Sequence, residues 1–75
     1  MTDKEWKELC EWVKSLNCRK VCISNKVFDD GCILVKNIFV RLMISSTGAL
    51  FSKTYDRIAD NRTPAQIKAI IENLL

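Results

Sequence analysis

Apolar positions change their spacing along the chain, and each change marks an element. From Thr2 to Leu16 the spacing is helical: Trp6, Leu9, Cys10, Val13 and Leu16 fall at i, i+3, i+4 and i+7 on one face, opposite Lys4, Lys7, Glu8, Glu11 and Lys14. Thr2 and Glu5 form a capping box, in which a hydroxyl and a carboxylate reciprocally satisfy the first free amides, so the helix starts there. Trp12 lies roughly 95° from the centre of the apolar stripe, at its margin. Its ring either covers the edge of the core or serves as an aromatic anchor for a partner. Asn17 and Cys18 end the helix.

Beyond it the period drops to two. Arg19 to Phe28 alternates, with Val21, Ile23 and Val27 inward, and Asp29-Asp30-Gly31 closes a hairpin with a glycine able to take the left-handed conformation. The long apolar stretch Cys32 to Ser45 changes parity once, at Lys36-Asn37. Ile33 and Val35 set the first phase, Ile38, Val40, Leu42 and Ile44 the second. A β-bulge in one long strand accounts for the slip, and a tight turn splitting the stretch in two is the rival; Lys-Asn lacks the glycine that favours the turn. Ser45-Ser46-Thr47-Gly48 is a second hairpin turn, and Ala49 to Tyr55 the third strand. A three-residue loop would turn Leu50, Ser52 and Thr54 inward. A two- or four-residue loop turns Ala49, Phe51 and Tyr55 inward, and this register is expected because it buries more apolar area.

Asp56 to Arg62 reads as a linker from which only Ile58 inserts into the core. Thr63-Pro64-Ala65-Gln66 then opens a helix with a T-x-x-Q capping box and proline at the first helical position, followed by the stripe Ile67, Ile70, Ile71 and Leu74. The expected fold is therefore a single small α+β domain over 1–75, ordered α-β-β-β-α. A three-stranded antiparallel meander about 14 Å across carries two amphipathic helices packed on one face, each about 10 Å wide, and leaves its other face open.

Composition narrows the function. At 75 residues, 48% of them hydrophobic and 28% charged, the chain is long enough for one packed core. A net charge of +3 is too mild to imply nucleic acid by itself. The start Met-Thr-Asp-Lys-Glu-Trp has no apolar leader and no stretch suits a membrane-spanning helix, so a cytoplasmic protein is expected. Cys10, Cys18, Cys22 and Cys32 offer only one close pair, spaced C-x3-C, with no histidine to join them. They read as reduced cysteines used as small hydrophobes, with no metal or cofactor.

Without histidine the commonest general base is missing, and no Ser, Cys or Lys stands in a nucleophile motif. Both glycines end hairpins, which leaves no phosphate-cradling loop, and Asp29-Asp30 is turn chemistry. The expectation is a non-enzymatic interaction module that covers a protein partner or a second copy of itself, such as the regulators and inhibitors that mobile elements encode. On the face away from the helices, Phe39, Arg41 and Met43 are expected to be exposed with Cys22 and Cys32. An aromatic ring and a thioether around an arginine is an interface composition. With Trp12, these are the candidate partner-binding residues.

The alternative is nucleic-acid binding. The order α-β-β-β-α resembles that of the double-stranded RNA-binding domain along the whole chain. That family's second helix opens with a phosphate-binding lysine cluster, whereas here the helix opens with Thr63-Pro64-Ala65-Gln66 and only Lys68 is near. Lys53, Arg57, Arg62 and Lys68 are the candidate basic patch, diluted by Asp56 and Asp60.

Overall fold

A computed structural model describes residues 1–24, 31–37 and 41–75. In chain order these form α1 (Asp3–Ser15), β1 (Val21–Ser24), β2 (Cys32–Lys36), β3 (Arg41–Ser45), β4 (Leu50–Ser52), β5 (Arg57–Ala59) and α2 (Pro64–Leu74). The strands pair in sequence order as one antiparallel sheet, β1-β2-β3-β4-β5. The α+β class stands, but the meander has five strands among the described residues rather than three, and the element order no longer matches that of the double-stranded RNA-binding domain.

Both helices begin where their caps are written. The Thr2 amide donates to Glu5 Oε1 at 2.9 Å, and the Glu5 amide to Thr2 Oγ1 at 3.2 Å. The same reciprocal pair recurs between Thr63 and Gln66, at 2.9 and 3.2 Å, with Pro64 in the first turn. Past the C-cap Leu16 of α1, Asn17 takes a left-handed φ of 49° and its amide donates to the Lys14 carbonyl, an ending that asparagine tolerates better than most residues.

The stretch 32–45 is two strands, not one bulged strand. β2 and β3 pair with Lys36 opposite Arg41, Val35 opposite Leu42 and Ile33 opposite Ile44. In this antiparallel register odd positions of β2 lie opposite even positions of β3. The parity slip thus has the hairpin as its cause. Ile38 and Val40, expected in the core, and Val27 and the Asp29-Asp30 turn all fall outside the described residues. Gly31 does take the left-handed φ, at 80°.

The register of β4 is also the reverse of the one expected. Ser45 donates its amide to the Ala49 carbonyl and accepts from Gly48, which closes a three-residue loop over 46–48. Leu50 therefore lies opposite Ile44 on the helix side, and Phe51 opposite Met43 on the other. Burial did not choose between the registers because both faces of the sheet bury apolar side chains. The Asp56–Arg62 linker contains β5, and its contribution to the core is Ala59, whereas Ile58 is exposed.

One face of the sheet packs both helices. Leu9 and Val13 of α1 and Ile67 and Ile71 of α2 are buried against Val21, Ile33, Val35, Leu42, Ile44 and Leu50. The opposite face holds a second cluster, which among the described residues comprises Cys32, Leu34 and Met43, with half-buried Phe51 packed against it.

Candidate interaction surface

The second cluster occupies the face expected to be open. Met43 points away from the helices as expected, yet it is only 1% exposed, and Cys32 beside it is 0% exposed. Met43 is therefore a packing residue rather than an exposed contact, clustered with Leu34, Cys32 and Phe51 of the flanking strands. Phe51 carries the guanidinium of Arg57 5.5 Å from its ring centroid. Arg41 is exposed at the start of β3 and Cys22 is exposed on β1, while Phe39 lies outside the described residues. Trp12 is half-buried against the helix-side core, and Lys68 Nζ stands 5.5 Å from its ring, so this tryptophan bridges the edge of α1 to α2.

Of the four cations of the nucleic-acid reading, two stack on aromatic rings in different parts of the molecule. Arg57 lies over Phe51 on the outer face and pairs with Asp60 at 3.4 Å, whereas Lys68 lies over Trp12 in the helix layer. Lys53 is in the loop after β4. Arg62 is anchored at the other end of that strand, where its amide donates to the Gly48 carbonyl at 3.1 Å. Arg57 and Lys68 thus stand over different rings in different layers.

All four cysteines are free thiols. Burial pushes the Cys10 thiol pKa up, with Lys14 opposing; burial does the same for Cys32, with Cys22 adding to the rise and Arg41 opposing it. Both remain protonated at neutral pH and are poor nucleophiles. Among the described residues no group of three or more metal-ligating side chains converges.

The β4–β5 hairpin has a geometry that the sequence reading missed. Its loop repeats the backbone bonds of the β3–β4 loop and adds two at Thr54, whose amide donates to Ser52 Oγ and whose hydroxyl donates to Asp56 Oδ2. Ser45 and Ser52 each accept from the residue three positions on, at 3.0 and 2.9 Å, and each donates its amide to the carbonyl four positions on, both at 2.9 Å. The hydroxyl pairs Ser45–Thr47 and Ser52–Thr54 follow suit at 2.8 and 2.9 Å. Each loop closes on a left-handed residue, Gly48 with φ 82° and Tyr55 with φ 66°. Such a loop, a tight turn followed by a left-handed position, calls for glycine at that position. Gly48 also needs to be glycine for space, since a Cβ there would lie 2.5 Å from the Arg62 carbonyl oxygen. Tyr55 is a bulky residue in the same conformation, and its side chain is 60% exposed. The repeated S-x-T was visible in the sequence; tyrosine in the place of glycine concealed the second copy.

Three residues later β5 departs from regular pairing. Phe51 faces Arg57 and Leu50 faces Ala59, so Ile58 is the extra residue of a β-bulge. Bulges at sheet edges re-aim side chains, and Ile58 is turned out with 60% of its surface exposed. It forms one lip of a groove of about 400 Å³ between β5 and α2, whose other walls include Leu50, Ala59, Ala69 and Ile70. Arg62 stands on its rim and has no ion-pair partner among the described residues. A second cleft of about 370 Å³, between the end of α1 and β1, is bordered by Lys14, Cys18, Arg19 and Cys22.

Comparison with protein-family models, with curated proteins and with solved structures returned no match.

Proposed function

We propose that the protein is a non-enzymatic interaction module that binds a protein partner through its β4–β5 hairpin. The observation that carries this reading is Tyr55. The chain solves the same loop twice, once with glycine, and at the second place keeps a large aromatic residue in a conformation costing about 1–2 kcal/mol for any side chain. Its exposed ring recovers little of that by burial. Strain held at an exposed aromatic residue is the pattern of a contact residue whose gain comes from the partner. Exposed Ile58 on the same hairpin extends the apolar surface. The chain has no histidine, the commonest general base, and among the described residues no group of three or more His, Cys, Asp or Glu side chains is placed to hold a metal ion.

The test is affinity capture from the native host with tagged wild type and tagged Tyr55→Gly, each with and without nuclease. Glycine suits the left-handed position, so loss of binding in this variant cannot come from damage to the loop. The expected result is a protein retained after nuclease by wild type and lost by Tyr55→Gly. Equal capture by both would overturn the role of the hairpin. Capture abolished by nuclease would put nucleic acid in the place of the protein partner.

A further inference from the structure

Resting on the proposed interaction function, we infer that the groove between β5 and α2 docks a partner segment presenting an apolar side chain next to a carboxylate. The apolar half of this recognition is Ile58, aimed outward by its bulge, over walls contributed by Leu50, Ala59, Ala69 and Ile70. A volume of about 400 Å³ admits a side chain and its flanking backbone rather than a folded element.

The acidic half comes from charge. Arg62 is exposed on the rim of the groove with no ion-pair partner among the described residues, while the neighbouring Arg57 is already engaged by Asp60 and Phe51. Arg62 also precedes α2, whose first turn contains no acidic residue, unlike that of α1 with Asp3 and Glu5. The positive end of the α2 dipole therefore adds to the field of the Arg62 guanidinium without an internal counter-charge in that turn. A carboxylate at the rim meets both, and a guanidinium can bind it through two parallel hydrogen bonds. An extended strand pairing along β5 is a poorer occupant, since the bulge interrupts the regular run of backbone groups that strand addition requires.

The experiment is selection of a random-peptide display library on immobilised full-length protein, in parallel with Arg62→Glu and Ala69→Trp. The first variant reverses the rim charge and leaves the backbone bond to Gly48 in place. The second fills the groove from an exposed helical position. Wild type is expected to enrich peptides with Leu, Ile or Phe adjacent to Asp or Glu. A synthetic peptide from that pool should bind Arg62→Glu and Ala69→Trp about tenfold or more weakly, and Arg62→Glu should enrich a basic neighbour instead. Enrichment of no motif, of a motif without an acid, or of one bound equally by both variants would overturn the inference. Tyr55-dependent capture of a protein would survive that failure, so the two readings fall separately.

Discussion

Gly48 and Tyr55 occupy one position in two copies of one loop, and they predict opposite responses to substitution. Gly48→Ala adds a methyl group that meets the Arg62 carbonyl oxygen at 2.5 Å and forces φ 82° on a residue with a side chain. It should cost about 2 kcal/mol or more, measured as the shift in urea midpoint. Tyr55→Gly relieves about 1–2 kcal/mol of backbone strain and adds about 0.5–1 kcal/mol of chain entropy to the unfolded state. It should therefore be neutral or stabilising by up to about 1.5 kcal/mol on the same assay. A large destabilisation by Tyr55→Gly would show that the ring packs rather than waits for a partner. Of the sequence-level candidates, Met43 was placed on the correct face but not at the correct depth. Periodicity reports the direction of a side chain and not what lies beyond it. Trp12 could be placed at the margin of the α1 stripe from its angle alone, and Lys68 over its ring required the second helix.

At the level of elements, both helices were legible because their signals are local. A cap, a stripe and a terminator lie within a few residues of one another, and each is satisfied inside the helix. The Glu5 carboxylate is held below its ordinary pKa, first by the Thr2 backbone amide and then by the Thr2 hydroxyl. A lowered carboxylate contributes stability that is present above its unfolded value, about 4.3 for glutamate, and is lost as the pH falls through the lowered folded value. Wild type should accordingly exceed Glu5→Gln in stability near neutral pH, and the difference should shrink across that acidic window. A difference independent of pH would remove the charged capping box from the account. Thr63→Ala, at the matching cap of α2, should cost about 1 kcal/mol at any pH in this range, since its partner is the uncharged Gln66. The strands were less legible for a physical reason. One bulged strand and two paired strands would both put Ile33, Val35, Leu42 and Ile44 on the same face, so the apolar pattern does not separate them. The register of β4 failed similarly: Leu50 and Phe51 are both packed, one on each side.

For the molecule as a whole, the consequence is a sheet with an apolar cluster on each face. One is shared with both helices, and the other, around Met43, lies on the face without them. Met43→Ala should destabilise by about 2–5 kcal/mol, the range for deleting a buried side chain of this size. A loss below about 0.5 kcal/mol, as for a surface position, would mean that the outer face is open in solution. Among the described residues the large apolar side chains left exposed stand away from that cluster, at Tyr55, Ile58 and Leu75. The most direct test of this account is an NMR titration of isotopically labelled protein with the partner that wild type captures. The account predicts the largest perturbations at Tyr55, Ile58, Arg62, Ala69 and Ile70, with Cys32, Leu34 and Met43 unmoved. Perturbations centred on Val21–Ser24 or on the Met43 cluster, with Tyr55 and Ile58 unchanged, would contradict it.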